Sequence, residues 1–562
     1  MRIIIVGGVA AGMSAAARAR RLDEHAEIIV LERGNHVSFA NCGLPYYLGG
    51  EIAEQESLLL HTPESLRAAL DLDVRVRHEA VGVDAAAKTV TVRHDGGEEV
   101  LGYDALILAP GAFALRPPID GLDSPRVRTL RTVDDAVALR DRVEAGAKRA
   151  VVLGAGFIGV EAAEALRMQG LEVDLVEFAP HVLPPVEREL AVAVTAELRR
   201  LGISVHDGVA AQAIEQGGAS SDTVVLSDGR RIDAELIVLS VGVRPDTAVF
   251  EAAGVECERG AIVVDEHGRT NLPGVYAAGD AVVSTDRVTG IRRPVALAGP
   301  ANRAGRQIAD YILRSATGQG NVSARPIPAP VGTAIVRVGE LTVAMTGANR
   351  AALEQAGIEY ETLHLHPAQH AGYFPGAVPM EIVAHIRSGD GLLLGAQAVG
   401  PEGVDKRIDV LATAIRAGFG VGDLIDLDLA YSPVYGSAKD PVNMLGMVGS
   451  NVVDGTLVLW YAEEWESLRE QALILDTRSV GEYRSGHLPG SLNVPHTELR
   501  ERIDEVIAAA AGRPVRALCG SGVRSHIAHR ALVQRGFDSA SLSGGMRTLR
   551  ATLGDGVLVT EG

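Results

Sequence analysis

Two stretches of this chain repeat one pattern, and the repetition narrows the possible fold more than any other feature. Residues 3–6 are an all-apolar run, Gly7-Gly8-Val9-Ala10-Ala11-Gly12 follows, residues 13–22 are rich in alanine and arginine, and a second apolar run over 27–31 closes at Glu32. Much later, residues 150–153 lead into Gly154-Ala155-Gly156-Phe157-Ile158-Gly159, a helical stretch over 160–169, and a run that ends at Glu177. Each reads as strand, tight turn, helix and strand, the opening of a doubly wound α/β sheet.

Such a turn places backbone N–H groups and a helix N-terminus against a pyrophosphate, and an acidic side chain at the end of the next strand meets a ribose hydroxyl. Glu32 lies at that spacing, 32 − 12 = 20 residues after Gly12, although Val9 stands where the second glycine is expected. Gly7, Gly8, Ala11, Gly12, Glu32 and Arg33 are therefore the first group of cofactor candidates. The buried run 103–108 and its turn Ala109-Pro110-Gly111 can pass close to the same ligand. In the second unit Gly154, Gly156, Gly159, Glu177 and Gly242 play the corresponding parts. Phe178-Ala179-Pro180-His181 supplies no arginine for a 2′-phosphate, so NADH is expected there, with NADPH as the alternative.

Composition excludes several classes. The 562 residues exceed what one core serves and suggest about three to five domains. With 53 basic and 72 acidic residues the net charge is −19, which speaks against nucleic acid as the partner. No run reaches the roughly 18 apolar residues of a membrane span. Three cysteines form no disulfide framework, and the chain opens directly on a strand, so a soluble protein of the reducing cytoplasm is expected, with no metal site.

Cys42 sits in Ser38-Phe39-Ala40-Asn41-Cys42-Gly43-Leu44-Pro45-Tyr46-Tyr47, just beyond the first dinucleotide unit. The other cysteines, Cys257 and Cys519, are far away in sequence, so no C-x-x-C dithiol exists and the partner sulfur must come from a substrate. A buried structural cysteine is the competing reading, but the surrounding turn formers Asn41, Gly43 and Pro45 fit it poorly.

The run Leu272-Pro273-Gly274-Val275-Tyr276-Ala277-Ala278-Gly279-Asp280, the two glycine loops and Cys42 together resemble the flavin-dependent pyridine nucleotide-disulfide oxidoreductases. The resemblance spans residues 1–450. It implies two Rossmann-like domains, with FAD in the first, Asp280 on its ribityl chain, and NADH in the inserted second. Residues 295–306, with Ala298, Asn302 and Arg306, resemble the helix beside the flavin ring in the single-cysteine subgroup. Within that subgroup the Cys42 stretch and Ala430-Tyr431-Ser432-Pro433-Val434-Tyr435-Gly436-Ser437-Ala438-Lys439 look like coenzyme A disulfide reductases. Peroxide- and oxygen-reducing relatives carry a histidine where this chain has Ala10. The resemblance further implies an α+β dimerisation domain and a homodimer in which Tyr373 and Tyr431 of one subunit reach the cysteine of the other. Packed tyrosines with satisfied hydroxyls are the alternative.

Near the C-terminus, Asp476-Thr477-Arg478 through Gly486-His487-Leu488-Pro489-Gly490 and the later Cys519-Gly520-Ser521-Gly522-Val523-Arg524-Ser525 resemble a rhodanese domain, itself α/β. Residues 515–518 read as a strand, 519–524 as a turn, and 525–535 as a helix. The N–H groups of such a turn, the helix dipole and Arg524 would stabilise a thiolate or persulfide at Cys519 and depress its pKa.

The expected division is an FAD-binding domain over 1–113 and 246–324, an NAD-binding domain over 114–245, a dimerisation domain over 325–450 and a rhodanese-like domain over 455–562. The expected activity is NADH-dependent reduction of persulfide, polysulfide and coenzyme A disulfide, with Cys42 as covalent nucleophile and Cys519 as sulfur-transfer thiol. Coenzyme A needs cationic partners, and Arg18, Arg20 and Arg21 of the first helix are candidates beside Ser38, Asn41, Asn302, Arg306 and Lys439. A solvated basic helix face is the competing view. Two other functions are carried forward: a single-cysteine NADH oxidase or peroxidase, and a flavin-bound redox sensor with the rhodanese domain as a docking module.

Overall fold

The first strand explains its own position. In β1 (Arg2–Val6), Ile3, Ile4 and Ile5 are fully buried, and side chains buried on both faces belong to the middle of a parallel sheet. Helix α1 (Ala10–Leu22) follows the turn directly, then β2 (Glu27–Glu32), then a single 3₁₀ turn and the short helix α2 (Leu44–Leu48) that carry the Cys42 stretch. Strand β3 (Ala105–Leu108) pairs with the other side of β1. The all-parallel order is Val275–Ala277, β3, β1, β2, Asp73–Val76, so one edge of this sheet comes from far down the chain.

The inserted unit repeats the plan. β4 (Arg149–Leu153), α3 (Phe157–Met168) and β5 (Glu172–Val176) lie in a second parallel sheet, ordered Ile203–His206, β5, β4, Leu236–Leu239, Val127–Arg128. Strands Ala112–Ala114 and Val243–Pro245 pair antiparallel where the chain leaves the first sheet and returns to it. α4 (Ala298–Thr317) packs along α1 through alanines, and Gly305 permits the close approach, since a Cβ there would lie 2.0 Å from the Ala11 carbonyl oxygen.

The structure, a computed structural model, describes residues 1–218, 220–317 and 324–560. Residues 318–323, within the expected segment 246–324, and the last two residues of the expected C-terminal domain lie outside the described set. The chain divides into two compact units, Met1–Leu183 with Leu198–Gly332, and Pro184–Glu197 with Thr333–Gly562.

The second unit holds two sheets. One is antiparallel, in the order Ala334–Val338, Leu341–Gly347, Leu393–Gly400, Glu381–Arg387, Tyr360–Leu365. The other is parallel, with β6 (Val515–Leu518) between Leu473–Asp476 and β7 (Ser539–Leu542), and helix α5 (Val523–Val533) following β6. His364 joins them: its Nδ1 pairs with Ser543 Oγ at 2.7 Å and its Nε2 with Glu189 at 2.9 Å. Burial opposes the charge on Glu189, but His364 and Arg350 outweigh it and hold the carboxyl well below the usual range. Among the described residues no helix is long and apolar enough to cross a membrane.

Candidate active site

The two glycine loops share one steric plan at their first and last glycines. Gly7 has φ +101° and a Cβ on it would fall 2.0 Å from the Ala109 carbonyl oxygen; Gly154 has φ +96° and a Cβ would fall 2.4 Å from that of Ser240. Gly12 and Gly159 each lie against the carbonyl of the loop's first glycine, with 1.9 Å left for a Cβ. Only glycine satisfies such positions. The departure at Val9 does not fall on a left-handed position: Val9 has φ −119° and its counterpart Gly156 −71°, both negative.

Glu32 accepts the Gly8 N–H at 2.8 Å on one oxygen and the Gly34 N–H at 2.7 Å on the other. Glu177 does the same with Ala155 at 2.6 Å and Ala179 at 2.8 Å. Each carboxylate is thus aimed by backbone donors and keeps further lone pairs for ribose hydroxyls. Around Gly156, Gly111 and Gly242 there is open space where a Cβ would stand, so a ligand can approach the backbone. Phe178 is largely exposed beside Glu177, and no arginine occupies that corner of the sequence.

The turn Gly279-Asp280 follows strand Val275–Ala277, and burial raises the Asp280 carboxyl above its ordinary value, offset in part by Arg131 at 3.8 Å. The Arg131 guanidinium is itself pulled down by burial. An under-solvated acid and an under-solvated cation side by side fit the ribityl hydroxyls and pyrophosphate of FAD. Arg33 is engaged by Asp246, and Ala298 opens α4 as an exposed residue. A cavity of about 270 Å³ lies beside Gly279, lined in part by Val295, Pro300, Ala301 and Arg303.

Cys42 is exposed at the centre of the 3₁₀ turn Asn41–Gly43. The turn is tied to the first glycine loop: the Ser38 N–H donates to the Gly8 carbonyl at 2.8 Å, and the Ser38 carbonyl accepts from Leu60 at 3.0 Å. Those bonds hold Ser38 at φ +50°, a left-handed conformation uncommon for a residue with a side chain. Partial burial raises the Cys42 thiol, and the Glu161 and Asp280 carboxylates raise it further. Glu161 stands on α3 and Asp280 on the flavin-unit turn, so the sulfur lies within electrostatic reach of both dinucleotide units.

Two of the basic candidates already have partners within the chain. Arg18 directs Nε and Nη2 onto Asp310 at 2.9 and 2.5 Å, so its charge is already matched, and Arg20 is buried on the carbonyls of Leu70, Glu24 and Asp71 as a structural strut. Arg21, Arg306 and Lys439 are exposed. Asn302 accepts from Ser14 at 2.6 Å, and that serine carried no motif signal. Asn41 is exposed next to the thiol.

In the second unit, Tyr373 and Tyr431 are both exposed and their hydroxyls are 3.0 Å apart, a pairing the sequence spacing of 58 residues did not announce. That hydrogen bond raises the Tyr373 phenol above its ordinary value. Cys519, 1% exposed, directly follows β6 with its sulfur 3.2 Å from the Gly522 N–H and 3.4 Å from Ser525 Oγ. The following helix begins at Val523 and not at Ser525, because Gly522 at φ +98° turns the chain early and places Arg524 in the first helical turn. Helix α3, after the second glycine loop, likewise begins at Phe157, three residues before the expected 160. Arg524 forms a two-pronged pair with Glu482, at 2.7 and 2.8 Å. Arg131, Glu161, Ser14 and Glu482 are the residues sequence reasoning missed, since each belongs to its site only through a distant partner.

Fold and site define a flavin- and nicotinamide-dependent oxidoreductase of sulfur compounds, and the chain belongs to the pyridine nucleotide-disulphide oxidoreductase family. That family's pattern matches residues 1–305, its dimerisation domain residues 333–440, and the rhodanese-like domain residues 461–552. The coenzyme A disulfide reductase of Staphylococcus haemolyticus is 33% identical, covering 79% of this chain and 98% of its own. A relative named NADH oxidase, from Methanocaldococcus jannaschii, is 31% identical, covering 79% and 97%. Two solved structures span both chains almost completely: reduced CoADR-RHD of Bacillus anthracis, with TM-score 0.94, 39% identity and 99% of each chain covered, and the NAD-dependent persulfide reductase of A. fulgidus, with TM-score 0.89, 35% identity and coverage of 98% and 100%.

Proposed function

We propose that this protein reduces coenzyme A disulfide and sulfane-sulfur compounds with NADH, using Cys42 as its single redox thiol and Cys519 to collect sulfur. The observation that carries the reading is the place of Cys42, an exposed thiol that feels both Glu161 of the NAD unit and Asp280 of the flavin turn. Glu32, Asp280 and Arg131 would hold FAD and Glu177 the ribose of NADH. When bound, FAD supplies a two-electron relay from NADH to sulfur at Cys42.

The Cys42 thiolate attacks the disulfide of coenzyme A, forms Cys42–S–S–CoA and expels one CoA thiolate. Two electrons then cleave the mixed disulfide, returning the Cys42 thiolate and the second coenzyme A. The balance is CoA-S-S-CoA + NADH + H⁺ → 2 CoA-SH + NAD⁺. In a homodimer built through the dimerisation domain, Tyr373 and Tyr431 of the partner subunit would donate to the leaving thiolate. Arg21, Arg306 and Lys439 are the exposed cations for the phosphates of coenzyme A.

Cys519 takes a sulfane sulfur as Cys519–S–SH and passes it to coenzyme A, giving CoA-S-SH and the free thiol. Cys42 then attacks the persulfide, so that CoA-S-SH + NADH + H⁺ → CoA-SH + H₂S + NAD⁺. The relative named NADH oxidase makes oxygen the competing acceptor.

The test is anaerobic NADH oxidation against CoA disulfide, polysulfide and peroxide, with sulfide measured, on the wild type, Cys42→Ser and Cys519→Ser. Cys42→Ser should still let NADH bleach the flavin but lose turnover with CoA disulfide by a factor of at least about 10³, as expected when a covalent nucleophile is removed. Cys519→Ser should keep CoA disulfide reduction and lose sulfur transfer from thiosulfate. Normal CoA disulfide turnover by Cys42→Ser sinks the mechanism, and peroxide as the best acceptor replaces it with the peroxidase.

A further inference from the structure

Behind Cys519 lies a chain of two hydroxyls that none of these steps employs. Ser541 Oγ on β7 donates to Ser525 Oγ on α5 at 2.9 Å, and Ser525 Oγ in turn lies 3.4 Å from Cys519 Sγ and 3.1 Å from the Gly522 carbonyl oxygen. Ser525 is 0% and Ser541 1% exposed, so bulk water does not compete for these atoms. A hydroxyl has one hydrogen and two lone pairs. With Ser541 filling one lone pair of Ser525, the Ser525 hydrogen is turned toward the side that holds Sγ and the Gly522 carbonyl. A hydroxyl hydrogen pointed at sulfur bonds a thiolate or persulfide anion more strongly than a neutral thiol, and so favours the anion. The loop geometry contributes as well: the Met546 N–H donates to the Cys519 carbonyl at 2.8 Å, fixing the sulfur's own backbone.

We propose that Ser541 is a positioning residue for Cys519, holding the Ser525 hydroxyl as a donor to the sulfur so that the thiolate or persulfide anion is favoured. The inference rests on Cys519 being the sulfur-transfer thiol. The titratable and charged side chains on the surrounding elements are Arg524 with Glu482, His526, His529 and Arg530 of α5, Arg516 of β6, Asp476 of the neighbouring strand Leu473–Asp476, and Arg547 and Arg550 of helix Gly545–Leu553. All are common to the variants compared, so a difference among those variants reads the hydroxyl chain.

The experiment uses the full-length, FAD-loaded protein and follows the pH dependence of Cys519 alkylation by iodoacetamide, resolved by peptide mass spectrometry, with Cys42 on the same molecules as internal reference. Ser541→Ala should slow Cys519 alkylation about threefold at neutral pH, the size of one modest hydrogen bond, and move the profile to higher pH while Cys42 is unchanged. Ser541→Thr should restore the profile, and Ser541→Val, which matches threonine in shape, should not. Added to Ser525→Ala, Ser541→Ala should change nothing further. An unchanged Cys519 profile in Ser541→Ala, or a full additional effect on the Ser525→Ala background, overturns the proposal, the latter by showing that Ser541 acts through packing. If the profile shifts as expected but wild-type Cys519 takes up no sulfur from polysulfide, the positioning role stands and the sulfur-transfer reading fails.

Discussion

Replacing Glu482 by glutamine perturbs the rhodanese site through one carboxylate. The Glu482 carboxylate receives two guanidinium N–H groups of Arg524, at 2.7 and 2.8 Å, and the Ser479 hydroxyl at 2.9 Å. The Arg524 bonds, working against partial burial, hold its carboxyl down to about 2 from 4.5. At about 1.4 kcal/mol per pH unit that would amount to about 3 kcal/mol if it acted in full. The side chain is 41% exposed, however, and solvent screening reduces the expected contribution to about 1 kcal/mol. Because the folded-state value is depressed, the contribution is complete above pH 4.5 and is lost as pH falls from there toward 2. Both tryptophans of the chain, Trp460 and Trp465, lie buried in the rhodanese core, so urea unfolding followed by their fluorescence reports this domain. Glu482→Gln should be about 1 kcal/mol less stable at pH 7, with the gap to wild type closing as the buffer is acidified below pH 4.5. It should also transfer sulfur from thiosulfate about fivefold more slowly, the same energy expressed as a population of correctly held Arg524, while CoA disulfide reduction is unchanged. Equal stability at pH 7, or a gap that widens on acidification, refutes the reasoning.

Glu177→Ala should narrow the preference for NADH over NADPH in kcat/KM, because the carboxylate that repels a 2′-phosphate is gone; a wild-type preference for NADPH overturns the assignment. The same variant orphans the N–H groups of Ala155 and Ala179 and should lose about 1–3 kcal/mol of stability, read by thermal unfolding. Glu161→Gln removes one of the carboxylates that raise the Cys42 thiol, so alkylation of Cys42 at fixed neutral pH should become faster; slower or unchanged alkylation would show that Glu161 does not act on the sulfur.

What could be read from the chain alone was whatever local backbone geometry dictates. Gly7, Gly12, Gly154 and Gly159 occupy positions where a Cβ would strike a carbonyl within 1.9–2.4 Å, so their spacing is written into the sequence together with Glu32 and Glu177 at the strand ends. Cys42 and Cys519 were legible for a related reason, each sitting in a turn whose formers are adjacent in sequence. The helix starts at Phe157 and Val523 were misplaced by two or three residues, because a glycine turn lets a helix begin before the apolar periodicity shows it.

Tertiary structure alone decided which charges and hydroxyls meet. In the sequence Arg18 is a bare cation on a helix; folding brings Asp310, 292 residues away, onto its guanidinium. The pairing of Tyr373 with Tyr431, of Arg131 with Asp280 and of Ser541 with Ser525 depends on elements that only folding places side by side. A glycine turn is fixed by steric limits within a few residues, whereas the partner of a long, flexible polar side chain is chosen by whatever the packed core carries to within hydrogen-bond distance.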